Sequence, residues 1–263
     1  MKLLFPDASY IDRYLHRIGI TESVTCDLEG LNRLLQAQLY HVPFENIDIW
    51  NEGICPSLEI QDLFRKIVER NRGGYCFELN TLFRVLLNSL GFDAYQVIAS
   101  LVNVDGIAAP PAHNGIICCL NGKKYFLDVG YGGPVPMQAM ELTQVPQHGF
   151  RLVQKEDFYY LNRLEDGLEY YSLRFRDAAV EPCELVPLNF YISQLPDVHF
   201  RNRLTVNQRK EDGRIYALSD HTLKIHSPAG VAEFTLRGKD VLLALLREDF
   251  GMDITGLKLR KKF

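Results

Sequence analysis

Hydrophobic positions over the first ninety residues recur every three or four places, the period of an amphipathic helix. Tyr10, Ile11, Tyr14, Leu15 and Ile18 form one apolar stripe, with Ser9 and Asp12 bracketing its start and Gly19 near its end. Asp27 is placed to cap a second helix carrying Leu28, Leu31, Leu34, Leu35 and Leu39. Ser57, just after Pro56, opens a third along Ile60, Leu63, Phe64, Ile67 and Val68. A fourth runs from Cys76 to Leu90, where Gly91 supplies the stop. The period then changes. Residues 94–104, 116–120, 124–129, 150–153, 158–161 and 168–175 read as strands, and Asn121-Gly122 between two of them is a strong hairpin signal. Helical spacing returns at 241–250 through Leu242, Leu245, Leu246 and Phe250. The pattern predicts an α+β chain: a helical N-terminal bundle over 1–91, a central antiparallel β domain over 92–198 and a smaller α/β part over 199–263.

Composition fits one sizeable globular chain. Of the 263 residues, 47% are hydrophobic and 24% charged, which excludes a disordered or collagen-like chain. At this length roughly 70% or more of the unfolded surface can be buried, so no disulfide or metal staple is needed. Lys and Arg number 29 against 33 Asp and Glu, a net charge of −4 that argues against electrostatic binding of nucleic acid. The apolar run before Pro6, Leu3-Leu4-Phe5, is three residues long, whereas a secretory signal needs about 7–15. The apolar run Val241–Leu246 stops at six residues, far short of the ~18 that span a bilayer. The 6 cysteines of an unsignalled chain this long read as reduced thiols in a cytoplasm. Cys118-Cys119 lacks zinc-ligand spacing and reads as core, and no other metal pattern is present.

Candidate chemistry begins at Arg72-Gly73-Gly74-Tyr75-Cys76-Phe77-Glu78-Leu79-Asn80. Two glycines hand the chain into a helix whose first residue is a cysteine. There the unpaired N–H groups and the macrodipole favour a thiolate nucleophile, and the glycines leave room for a substrate. The plain alternative is a glycine stop followed by a core cysteine. A nucleophilic thiol needs a base, and the hairpin offers one. With Asn121-Gly122 at the turn, Leu120 faces Lys123 and Gly115 lies across from Asp128. His113 then shares a face with Asp128 as its diagonal neighbour, with the empty position of Gly115 between them. Taken singly, His113 reads as a strand-start polar residue and Asp128 as a turn former. A helix-start Cys together with a paired His and Asp fits nucleophilic catalysis.

The Arg72–Asn80 run resembles the Arg-Gly-Gly-x-Cys-x-Glu-Leu-Asn signature of the arylamine N-acetyltransferases. The likeness extends to Val42-Pro43-Phe44-Glu45-Asn46, Asp128-Val129-Gly130-Tyr131-Gly132, Asn189-Phe190-Tyr191-Ile192-Ser193 and Phe250-Gly251-Met252. It implies a helical bundle, a β-barrel and an α/β lid. It also implies Cys76 as the acetyl-accepting nucleophile, His113 as its base and Asp128 as the orienting carboxylate. The implied reaction takes acetyl from acetyl-CoA to an arylamine or hydrazine in ping-pong fashion, with no metal, nucleic-acid or membrane partner. The family pattern suggests a Glu45–Arg72 ion pair bracing the loop before Cys76. Gly132 and Gly133, in the glycine-rich loop after Asp128, are candidates to admit the pantetheine arm of the coenzyme; a plain turn is the alternative. The chain departs from the family at Asn114-Gly115, where large apolar residues usually follow the histidine. Competing expectations are a related acyl transferase or amide synthase on the same fold, a Cys-His-Asp hydrolase, and a non-catalytic binder. The papain-type Cys-Gly-Ser-Cys-Trp signature is missing.

Overall fold

The computed structural model describes residues 3–261 and 263; Met1 and Lys2, with which the reading of the chain's opening begins, lie outside them. Helix α1 (Ala8–Arg17) is capped by Asp7, whose Oδ1 accepts from the Ser9 amide at 2.8 Å, so the cap falls two residues before the Ser9 of the sequence reading. Asp27 caps α2 (Leu28–His41) through the Gly30 amide at 2.8 Å. A two-residue strand, β1 (Phe44–Glu45), follows and leads into a π-helical turn at Asp48–Glu52. Helix α3 (Ile60–Phe64) runs directly into a second π-helical turn at Arg65–Glu69. The third apolar stripe is therefore divided, with its last part wound more widely than an α-helix.

Helix α4 (Cys76–Ser89) is the axis of the N-terminal half and is buried from Cys76 through Asn88. A helix apolar on most sides belongs in a core. It packs between the other helices and one face of the strands that come next: β2 (Asp93–Leu101), β3 (His113–Leu120) and β4 (Lys123–Leu127). With β5 (Met140–Glu141), β6 (Phe150–Lys155), β7 (Phe158–Glu165) and β8 (Leu168–Phe175) these form a seven-stranded antiparallel sheet. Its order is β5-β4-β3-β2-β8-β7-β6, so it curls as a half-barrel with two edges rather than closing as a barrel. The alternation of β3 sends Ile116 and Cys118 toward the helices and Ile117 into the concave core with Phe126, Val97 and Phe175. Cys118 is core, but Cys119, on the other face, is only partly buried.

Helix α5 (Pro182–Gln194) and the short α6 (His199–Asn202) lead to the C-terminal sheet. Its strands β9 (Thr205–Arg209), β10 (Ile215–Ser219), β11 (Thr222–Ser227) and β12 (Gly230–Thr235) form an antiparallel meander, and α7 (Lys239–Glu248) packs Leu242 and Leu246 against Val206 and Leu218. The edge of this sheet is completed from far away in sequence: β1 pairs with β9, setting Phe44 opposite Asn207 and Glu45 opposite Val206. The other side of Phe44 bridges to Gly74 in parallel, and the Glu45 amide donates to the Gly74 carbonyl at 2.8 Å. The loop before Cys76 is thus stitched to the last third of the chain.

Candidate active site

Cys76 is the first residue of α4, and 2% of its surface is exposed. Its helix starts where it does because Glu78, three residues past Tyr75, turns back to accept from the Tyr75 amide at 3.1 Å. The two glycines ahead of it serve the backbone rather than a substrate. A Cβ on Gly73 would come to 2.1 Å from the Pro43 carbonyl oxygen, and one on Gly74 would sit 3.0 Å from Glu78. Both positions are occupied by the protein itself, which corrects the expectation that they open space for a ligand.

The hairpin has the register its Asn121-Gly122 turn implies, with Leu120 opposite Lys123 and Ile116 opposite Leu127. His113 at the start of β3 and Asp128 just past β4 therefore meet, Nε2 to Oδ2 at 2.6 Å. They do not meet over Gly115: a Cβ there would lie 2.4 Å from the Phe126 ring, which fills the space. Gly115 is the counterpart of a large ring across the strand, and that accounts for the departure at this position. Asp128 is anchored through its second oxygen, Oδ1, which accepts from Asn80 Nδ2 at 3.0 Å and from the Gly130 amide at 2.8 Å. Asn80 also donates to the Asn114 carbonyl at 2.7 Å and accepts from the Val129 amide at 3.0 Å, tying α4 to both hairpin strands.

The electrostatics of His113 follow from this cage. Burial alone would lower its pKa, but the Asp128 carboxylate and its hydrogen bond, together with a hydrogen bond to Cys76, raise it well above the ordinary imidazole value. With Nε2 engaged by Asp128, Nδ1 is the nitrogen left for the thiol. The Tyr131 ring stands edge-on to His113, 5.6 Å between centroids. The site can therefore hold a charged imidazole beside a sulfur, excluded from bulk water.

Arg72 and Glu45 are paired, with Nε and Nη2 at 3.0 and 2.7 Å from Oε1. Two further residues that sequence reading missed join them, together with Glu78 of the signature: Asp48 Oδ1 is 2.9 Å from Arg72, and Lys66 lies 2.7 Å from Asp48 and 2.8 Å from Glu78. Gly132 and Gly133 line a cavity of about 420 Å³ with Phe44, Tyr131, Val135 and Arg209. It is lined by Tyr131, whose ring packs on His113, and by Val129, next to the Gly130 that lies on Cys76, without including Cys76 or His113. Strand β9 forms its far wall; Asn207 Nδ2 donates to the Gly132 carbonyl, and Arg209 to that of Val135 at 3.3 Å. Among the described residues no group of three or more His, Cys, Asp or Glu side chains is placed to hold a metal ion. Nor, among them, is any helix long and apolar enough to cross a membrane.

A family model described as N-acetyltransferase matches residues 27–259. The chain is 30% identical over 254 residues to an arylamine N-acetyltransferase of Mycolicibacterium smegmatis, covering 93% of this chain and 92% of that protein. Its fold is similar to the solved M. smegmatis arylamine N-acetyltransferase, with a TM-score of 0.88, 27% identity and coverage of 96% and 94%. It is likewise similar in fold to the Mycobacterium marinum arylamine N-acetyltransferase, solved in complex with CoA, with a TM-score of 0.87, 24% identity and coverage of 94% of each chain.

Proposed function

Since this chain belongs to the arylamine N-acetyltransferase family, we propose that it carries an acetyl group from acetyl-CoA to the nitrogen of an arylamine or hydrazine through an acetyl-Cys76 intermediate. The observation that carries this reading is the seating of His113, bonded to Asp128 at 2.6 Å, with its pKa held above the ordinary imidazole value by that carboxylate and by Cys76, the first residue of α4. In this reading residues 1–91 supply the nucleophile, 92–198 the base and its carboxylate, and 199–263 the outer wall of the substrate cavity.

Cys76 gives its proton to His113 Nδ1, and Sγ attacks the thioester carbonyl carbon. The carbon–sulfur bond to CoA breaks, and the departing thiolate takes the proton back from His113, leaving acetyl-Cys76. The acceptor nitrogen then attacks the acetyl carbon, His113 takes the nitrogen's proton, and the amide leaves as the carbon–Sγ bond breaks. The Cys76 thiolate beside protonated His113 is the resting pair again. Asp128 fixes the ring tautomer and supports its positive form. Amides of the first turn of α4 supply donors for the oxyanion. The cavity past Gly132 and Gly133 receives the pantetheine arm, and its apolar walls at Phe44 and Tyr131 suit an aromatic acceptor.

The test is the intact mass of the protein after mixing with acetyl-CoA. One acetyl group should be gained at Cys76 and discharged by an added arylamine, and Cys76→Ala should gain none while staying folded. A folded wild-type protein that gains nothing, or a Cys76→Ala protein that still turns over, overturns the reading.

A further inference from the structure

Five charged side chains from separate stretches of the chain converge beside the loop that delivers Cys76. Glu45 comes from β1, Asp48 and Lys66 from the two π-helical turns, Arg72 from the loop and Glu78 from α4. Three carboxylates face two cations, so the group cannot neutralise itself while all are ionised. The partners are unevenly shared. Arg72 serves Glu45 and Asp48. Lys66 reaches Asp48 at 2.7 Å, Glu78 at 2.8 Å and Glu45 at 3.7 Å. The cation in hydrogen-bond contact with Glu78 is Lys66, at Oε1, while Oε2 takes the Tyr75 amide. Glu78 is 2% exposed, and Gly74 is pressed against it.

We propose that Lys66 and Glu78 are positioning residues for the reaction at Cys76: Lys66 keeps the buried Glu78 carboxylate ionised, and the ionised carboxylate holds the Tyr75 amide and so the first turn of α4. The inference rests on the reading of Cys76 as the nucleophile. A charged acceptor makes a shorter and stronger hydrogen bond to an amide than a neutral one does. The amide it holds belongs to the residue immediately before Cys76, so loosening it moves Sγ relative to His113. The carboxylate is poised for this control. Burial raises its pKa, Lys66 lowers it, and Asp48 and Glu45 raise it, to a net value of about 7. Without Lys66 the burial and the neighbouring Asp48 and Glu45 outweigh the Tyr75 amide, and Glu78 is neutral at neutral pH.

Two rates read the outcome: single-turnover acetylation of Cys76 by acetyl-CoA, and alkylation of Cys76 by iodoacetamide, each followed across the neutral pH range. Lys66→Met should lower both by about tenfold at neutral pH and recover as pH rises. Its midpoint should stand above the wild-type one near 7. Glu78→Gln, nearly isosteric, should lower both rates and lose the pH-dependent rise. The double variant, which leaves the cluster with its original net charge, should be no slower than Glu78→Gln alone, because Lys66 acts through Glu78. Lys66→Arg should restore most of the rate, and thermal melts report that each protein is folded. If the single losses multiply in the double variant, or if Lys66→Met shifts the melt but not the pH midpoint, the pair is merely structural. Alkylation needs no acyl transfer, so a protein that alkylates as described but accepts no acetyl group overturns the proposed function and leaves this inference standing.

Discussion

Gly130 lies directly on the backbone of Cys76: a Cβ at position 130 would stand 2.6 Å from Cys76 Cα and 3.0 Å from its carbonyl oxygen. The hairpin that presents His113 and Asp128 is therefore indexed against α4 by main-chain contact, two residues beyond the carboxylate. Asn80 reinforces the contact, bonding to Asp128 and to the Val129 amide from the next turn of the same helix.

Gly130→Ala should accordingly shift the Asp128 loop away from α4. Misplacing catalytic groups by ~1 Å costs on the order of 10²-fold in rate. Single-turnover acetylation of Cys76 should fall by about that factor in a protein whose circular dichroism is still native. A folded variant that acetylates at the wild-type rate would mean the contact is incidental.

Asp128→Asn should act through the tautomer of His113. Oδ1 accepts from two donors, Asn80 and Gly130, so an amide introduced there keeps its oxygen on that side. Its NH₂ group then faces His113 and makes Nε2 an acceptor, which leaves the ring hydrogen on Nδ1, the nitrogen that must take the thiol proton. In a serine triad the comparable change lowers turnover by about 10⁴. Turnover here should fall by a similar order, and iodoacetamide should alkylate Cys76 more slowly at neutral pH. Undiminished acetylation and alkylation would reduce Asp128 to a turn residue.

The same proton links stability to pH. His113 titrates at about 10 in the folded protein against 6.5 for the unperturbed ring. Between these values the folded chain keeps the His113 ring protonated where the unfolded chain does not, and once Cys76 is replaced by alanine, so that no thiol supplies that proton, it is a net gain on folding. The stability this proton supplies is complete below pH 6.5 and disappears as the pH rises through about 10, at no more than about 1.4 kcal/mol per pH unit. Denaturant melts of Cys76→Ala should weaken across that window more steeply than those of a protein carrying both Cys76→Ala and Asp128→Asn. Parallel curves would show that the carboxylate does not hold the proton.

Cys118→Ala should cost about 1 kcal/mol of stability, since the thiol is fully buried among the helices. Acetylation per folded molecule should stay at the wild-type level. A loss of rate without a loss of stability would place the residue in the site.

What the sequence made legible was local. The span of α4 follows from its apolar spacing and the glycines at both ends, and the pairing of His113 with Asp128 follows from a two-residue turn that admits one register. Alternation could not say which atoms fill the gap at Gly115, because the Phe126 ring reaches across from a neighbouring pair of positions. Helix α5 went unread as a helix, for Pro187 stands inside it and its exposed side carries Val186 and Phe190, which blurs the stripe. The π-helical turns are continuous in sequence with ordinary helical spacing and differ only in hydrogen-bond reach. Lys66 and Asp48 look like two solvated charges in a chain that is 24% charged, and the signature that contains Glu78 does not say what its carboxylate touches. Only the fold reveals that they share one buried place. The meander β9–β12 was likewise read no further than a mixed C-terminal part, and β12 is exposed along its whole length.

The pairing of β1 with β9 on one side and Gly74 on the other bears on how the molecule is made. A chain leaves the ribosome from its N-terminus, and helices close to one another in sequence form early. By the time residue 200 has emerged, Cys76, His113 and Asp128 are all outside the tunnel. The strand that closes over Phe44 is not, because Asn207 and Val206 have still to arrive. The last stitch on the nucleophile's loop is therefore sewn near the end of synthesis, and a truncated product carries the sulfur without the frame that aims it.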